Sequence, residues 1–119
     1  MSSNITDNSK SYLRELVRIN KFNLTAFAYE ALDVSSAGAK SLTVPTGAVY
    51  AEIRVESSVT SGIVLRYLML GANTLPTSTV GLSLSNLDYF DITGYPNLLN
   101  FRVILTQAGT HTIHVQYYR

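Results

Sequence analysis

The sequence predicts an all-β protein, an antiparallel β-sandwich of about seven or eight strands with an N-terminal arm or short helix ahead of it. Three observations predict it. Segments rich in Val, Ile, Leu, Thr, Tyr and Phe recur at short, regular spacing along the chain. The Gly-, Pro- and Asn-bearing connections between them are too short to hold the crossover helices of a parallel sheet. Two of the segments alternate apolar and polar residues with a period of two, as a strand with one buried face does.

Residues 1–22 differ in character from the rest. The first eleven are polar and turn-like, which predicts a tail or an arm that orders on a partner. Tyr12 opens a segment in which Leu13, Leu16 and Val17 stand at helical spacing behind Asn8 or Ser9 as a cap. A short amphipathic helix and an extended arm crossing to another subunit are the two readings. Eight of the seventeen charges fall in the first 33 residues, and a boundary near Asn23 separates residues 1–22 from a sandwich domain at 23–119.

Strands are predicted at 26–34, 41–44, 48–56, 63–70, 89–93, 99–106 and 110–118. In 48–56, Val49, Ala51, Ile53 and Val55 face one way, and Tyr50, Glu52, Arg54 and Glu56 face the other. The last strand sets His111, Ile113, Val115 and Tyr117 against Thr112, His114, Gln116 and Tyr118. Segment 63–70 is apolar on both faces except at Arg66, the pattern of a central strand covered on both sides.

At 119 residues the chain fits one domain, and it has no cysteine, so disulfides, thiolate metal sites and cysteine nucleophiles are excluded. Charged residues make up 14% of the chain, against a usual value of about 25%. None occurs from Tyr67 through Leu87 or from Val103 through Tyr118, stretches that suit a surface covered by neighbouring subunits. A net charge of +1 is too small a footprint for phosphate-backbone binding, so nucleic acid is not an expected partner. The polar amino terminus lacks a signal-peptide core, and no apolar run approaches the roughly 18 residues of a membrane span; neither secretion nor membrane insertion is expected.

The candidate chemistry is thin. His111 and His114, three apart on one strand, point to opposite faces and cannot chelate one ion together, so they read as strand-face or interface residues. Glu52 and Glu56 share a face but stand about 13 Å apart, too far for a paired-carboxylate mechanism. With Arg54 between them they form a ladder suited to cross-strand or intersubunit ion pairing, with Arg66 or Arg102 across neighbouring strands. Asp88 and Asp91 flank Tyr89 and Phe90 at a strand entrance, where carboxylates cap turns. No Gly-x-Ser-x-Gly elbow or phosphate-binding glycine loop is present. No catalytic residue, cofactor or metal ligand is assigned.

A longer pattern runs through Ala51, Glu52 and Ile53, then Arg66 and Tyr67, Gly71, Pro76 and Thr77, and Gly81. It continues through Asp88, Tyr89 and Phe90, then Phe101, Arg102 and Val103, to Tyr117 and Tyr118. This stretch, about residues 40–119, resembles small β-sandwich domains of tailed-bacteriophage virion proteins. One departure falls at Ser85, Asn86, Leu87 and Asp88, where a second Gly-Asp turn belongs to the pattern. The resemblance implies a non-enzymatic capsid decoration or cement protein, a symmetric homo-oligomer with trimers favoured, bound to the major capsid protein at capsomer junctions and located in the virion. Neck, tail or head-fibre placement uses the same physics. The candidate interface residues are Tyr12, Leu13, Leu16, Val17, Glu52, Arg54, Glu56, Arg66, Arg102, His114 and Tyr118. A carbohydrate- or receptor-binding module with exposed tyrosines is the alternative from another class.

Overall fold

A computed structural model describes residues 23–119, so the arm assigned to residues 1–22, with Tyr12, Leu13, Leu16 and Val17, lies outside the described residues. Eight strands follow in order: β1 (Ala26–Asp33), β2 (Lys40–Ser41), β3 (Tyr50–Ser57), β4 (Ile63–Leu68), β5 (Leu82–Ser85), β6 (Tyr89–Thr93), β7 (Arg102–Leu105) and β8 (His111–Tyr118). A single-turn helix, α1 (Tyr95–Asn100), stands between β6 and β7.

The strands form two four-stranded antiparallel sheets, ordered β1-β8-β3-β6 and β2-β7-β4-β5. β1 pairs with β8, β2 with β7, β3 with β6 and β4 with β5. The chain is therefore one long antiparallel ribbon, doubled at residues 69–81 and rolled so that successive ribbon segments fall in alternate sheets. That winding is the eight-stranded jelly roll. The register gathers the connections at two ends: residues 42–49, 69–81 and 94–101 at one, and 34–39, 58–62, 86–88 and 106–110 at the other.

The core is built by period two. Ala51, Ile53 and Val55 of β3 and Ile113, Val115 and Tyr117 of β8 pack inward against Val64, Leu65, Leu84 and Val103 of the second sheet. Each of the valines, leucines and isoleucines among them contributes about 1.5–3 kcal/mol by leaving water. An aromatic stack joins the sheets, with Tyr67 4.8 Å from Phe90 and 5.5 Å from Phe101 between ring centroids.

Several sequence expectations shift. The strand expected at 41–44 shrinks to β2, because the Thr43 N–H donates to the Glu30 carboxylate (2.9 Å) instead of to a strand partner. The strand expected at 99–106 begins only at Arg102. Pro96 sits in the first turn of α1 with its φ preset for a helix, and Leu98 is fully buried beneath it. β5 was not expected, since its two leucines and two serines are framed by Gly81 and the 86–88 turn. β4 is central, flanked by β7 and β5, and stops at Leu68 ahead of a 3-10 turn at Gly71–Asn73. Residues 76–81 lie against it at Arg66, which holds them through bonds to the carbonyls of Ser78 (3.2 Å) and Gly81 (2.8 Å), whereas Ile63 at its start is exposed, so the strand is not covered on both sides along its length.

Candidate functional site

The outward face of the β1-β8-β3-β6 sheet gathers most of the described chemistry. The register sets its side chains in four rows running across the strands. The first holds Asp33, Thr112 and Glu56, and the second Ala31, His114, Arg54 and Tyr89. The third holds Tyr29, Gln116, Glu52 and Asp91, and the fourth Tyr118, Tyr50 and Thr93.

Within this face, the Tyr29 hydroxyl meets His114 Nδ1 at 2.7 Å, and His114 Nε2 meets Glu56 Oε1 at 3.3 Å. In the neutral ring, Nε2–H donates to the carboxylate, which leaves Nδ1 to accept the phenol proton. The Tyr29 and His114 rings are stacked 6.1 Å apart. Along the face, the Tyr50 hydroxyl donates to Asp91 Oδ2 at 2.6 Å, and the Tyr50 and Tyr118 rings meet edge-on at 5.4 Å. Burial, reinforced by the Asp91 carboxylate, pushes the Tyr50 phenol well above its ordinary 10.0. Hydrogen bonds from the Ser35 side chain and backbone N–H hold the Asp33 carboxyl below its usual 3.8. Glu52 and Asp91 stand directly opposite each other on β3 and β6, a like-charge pairing that sheets disfavour.

Of the expected interface residues, Glu52, Arg54, Glu56, His114 and Tyr118 share this face. Arg66 and Arg102 do not, which corrects the expectation that either lies across from the Glu52, Arg54, Glu56 ladder. Both stand in the second sheet, and both are committed to backbone carbonyls, Arg102 to those of Leu99 (2.9 Å) and Phe101 (2.8 Å). An arginine on an otherwise apolar strand is accommodated by local carbonyls as readily as by a distant acid.

The histidines divide as the strand period requires. His111 is fully buried at the end of the sandwich, a core residue and not a seam residue. Its Nδ1 meets the Ser57 hydroxyl at 2.8 Å and its Nε2 the Gln107 carbonyl at 2.8 Å, so a partly exposed serine and a fully buried histidine are adjacent. Asp88 caps the 85–88 turn by accepting the Ser85 N–H at 2.7 Å, as expected, whereas Asp91 serves Tyr50 instead. Tyr29, Tyr50, Tyr89, Asp91 and Gln116 were missing from the expected surface. Their parity was readable within each strand, but their grouping depends on which strands are neighbours.

Among the described residues, no group of three or more His, Asp or Glu side chains is placed to hold a metal ion, and no helix is long and apolar enough to cross a membrane. Comparisons with protein-family models, curated proteins and solved structures found no match to this chain. The class the geometry defines is the jelly-roll β-sandwich.

Proposed function

We infer that the protein is a non-enzymatic structural component of a tailed-phage particle, a decoration or cement protein that binds capsomer junctions of the major capsid protein as a symmetric oligomer, with a trimer favoured. The observation that carries this reading is an exposed apolar loop that carries no ionisable residue of its own. Leu70, Leu75, Val80 and Leu82 are 59%, 47%, 52% and 55% exposed, and all lie in or beside the loop at which the ribbon doubles, within the stretch lacking Asp, Glu, Lys and Arg. Clustered exposed apolar side chains, with the neighbouring Arg66 guanidinium committed to the Ser78 and Gly81 carbonyls, are what an interface core contains and what a monomer's surface avoids. The jelly roll supports the reading at the level of analogy, since viral capsid domains use it, and so do lectins. Burial against neighbours at about 25 cal/mol per Å2, repeated around a shell, supplies the mechanical reinforcement.

Light scattering or native mass spectrometry of the full chain tests it. A closed oligomer is expected, which Leu75→Asp with Val80→Asp dissociates without unfolding the sandwich; a monomer at every concentration sinks the proposal. Neck, tail and head-fibre positions remain within the same reading. The second reading, a carbohydrate- or receptor-binding module, is favoured by Tyr29 and Tyr89, 63% and 55% exposed beside polar groups of the first sheet's outer face. Glycan-array binding lost on Tyr89→Ala would select it.

A further inference from the structure

The sheets have edges at β1 and β6 in the first and at β2 and β5 in the second, and all but one are guarded. β2 pairs over only two residues and carries a lysine, Lys40. At β5 the Ser85 N–H donates to the Asp88 carboxylate (2.7 Å), the Ser85 carbonyl accepts the Asp88 N–H (3.1 Å), and the Gly81 carbonyl accepts Arg66 (2.8 Å). β6 runs into α1, where the Asn97 side chain takes the Thr93 carbonyl (2.9 Å). Shortness, lysine and backbone groups already bonded are what keep a sheet edge from pairing further.

β1 lacks these guards. Past a bulge at residues 26–28 it runs regularly to Asp33, with neither lysine nor proline, β8 on one side and, among the described residues, no strand on the other. Its inward carboxylate, Glu30, is held within the same chain by Tyr117 and Thr43. The Val34 N–H donates to the His111 carbonyl (2.8 Å), and bonded positions alternate along an antiparallel pair, so Leu32, Glu30 and Ala28 are the residues that bond to β8. Tyr29, Ala31 and Asp33 therefore turn their N–H and C=O groups away from the sheet, and each of these residues is exposed. The outward groups are self-complementary. Two copies of β1 set antiparallel about a two-fold axis at Ala31 bring Tyr29 to the partner's Asp33 and Ala31 to the partner's Ala31, with two hydrogen bonds in each pair. A slip of one residue sets outward groups against inward ones and forfeits those bonds. A small side chain stands at the axis, and Glu30 falls opposite the partner's Leu32, so no like charges meet.

We propose that β1 is a subunit interface, pairing antiparallel with β1 of a second copy about a two-fold axis at Ala31 and joining two four-stranded sheets into one. The contact uses no residue of the loop at 69–81 and does not depend on the particle assignment, so it survives Leu75→Asp with Val80→Asp.

The chain has no cysteine, so Ala31→Cys places a lone thiol at the axis, where paired Cα atoms stand about 5.5 Å apart, within disulfide reach. Mild oxidation should link that variant into covalent dimers at least about tenfold faster than Ser83→Cys, at an exposed position on the guarded β5 edge. Ala31→Pro removes only an outward N–H and keeps the bonds to β8. In the full chain carrying Leu75→Asp and Val80→Asp, sedimentation up to about 1 mM should show a dimer whose dissociation constant Ala31→Pro raises about tenfold or more. Should Ala31→Pro fail to fold, Ala31→Lys sets like charges face to face at the axis and should weaken the dimer in the same direction. Equal linking at both cysteines, or a dimer indifferent to every change at Ala31, overturns the proposal. A monomer at about 1 mM in the loop variant overturns it too, the edge then being left to a strand of another polypeptide or to water. Failure of the loop reading looks different: Leu75→Asp with Val80→Asp then leaves the mass unchanged, while Ala31→Pro alone lowers it.

Discussion

The hydroxyl of Tyr117 donates to the carboxylate of Glu30 inside the sandwich, across the β1–β8 pair. Tyr117 is a core residue, 1% exposed, and Glu30 points inward from an edge strand. The same Glu30 oxygen accepts the Thr43 N–H at 2.9 Å. One carboxylate thus fastens the edge strand of the first sheet to the connection that leads from the second sheet back into β3.

Glu30→Ala strands the buried Tyr117 phenol, while the Thr43 N–H lies at an exposed residue where water replaces the carboxylate, and should cost about 1–3 kcal/mol. Tyr117→Phe removes one hydroxyl and leaves the carboxylate with Thr43, so about 0.5–1.5 kcal/mol is expected. Urea denaturation of both singles and the double checks the pair: the double should fall short of the summed losses by at least about 0.5 kcal/mol. Strict additivity would show that the two groups do not depend on each other.

Alkaline pH should act through the buried phenols. Desolvation raises Tyr117, Tyr50 and Tyr67 above 10.0, with Glu30 adding to the effect at Tyr117 and Asp91 at Tyr50. A raised folded-state value means that the neutral phenol is the form the fold holds. The associated stability is fully present below the unfolded value of 10.0 and is lost as pH rises beyond it. Ultraviolet titration should therefore show Tyr50 and Tyr117 ionising only with unfolding, and Tyr117→Phe should flatten the loss of stability above pH 10. Smooth ionisation of all eight tyrosines in the folded protein would contradict the burial argument.

The strands legible in the sequence were those whose pattern is local. The β3 alternation of Ala51, Ile53 and Val55 against Glu52, Arg54 and Glu56 is visible in the sequence and holds, while Val49, expected on the inner face, falls before the strand and is exposed, and Tyr50, expected on the polar face, is buried. The sandwich class followed from such segments and their short connections. What escaped was set by partners distant in sequence. β2 is short because Glu30 takes the Thr43 N–H, and Leu99 is helical because Pro96 starts a turn over the buried Leu98. The outer-face site was half legible, because parity placed Glu52, Arg54 and Glu56 together but not the strand order. That order brought in Asp91 and Tyr89 from β6 and Tyr29 from β1, and sent Arg66 and Arg102 to the other sheet.

Arg66 and Gly81 govern the loop at which the ribbon doubles. Gly81 has φ +128, and a Cβ there would stand 3.0 Å from the Tyr67 carbonyl oxygen and 3.3 Å from both Arg66 Cβ and Pro76 Cβ. Gly81→Ala therefore meets strain and collision together and should destabilise by about 1–3 kcal/mol. Arg66→Met keeps the aliphatic stem but drops the bonds to Ser78 and Gly81. Hydrogen exchange should then accelerate in residues 76–81 while β3 and β8 keep their protection. Uniform exchange across the sandwich would mean that the arginine serves the whole sheet and not the loop.

Leu87 offers a change of the opposite sign. It is the one described residue other than glycine with positive φ, 69°, and its side chain is 60% exposed. The turn around it is held by other groups: the Leu87 N–H donates to the Val55 carbonyl (2.9 Å), Asn86 Oδ1 accepts the Ser57 N–H (2.9 Å), and Asp88 Oδ2 accepts the Ser85 N–H (2.7 Å). A left-handed leucine costs about 1–2 kcal/mol, and an asparagine tolerates that conformation better. Leu87→Asn should raise stability by about 0.5–1 kcal/mol, since little apolar burial is lost and every backbone bond is kept. Leu87→Gly should gain less, because glycine gives up more conformational freedom on folding. Thermal and urea melts measure both. A loss in the asparagine variant would mean that the exposed leucine is covered in solution, and the oligomer's mass measured on the same variant would show whether a neighbouring subunit is what covers it.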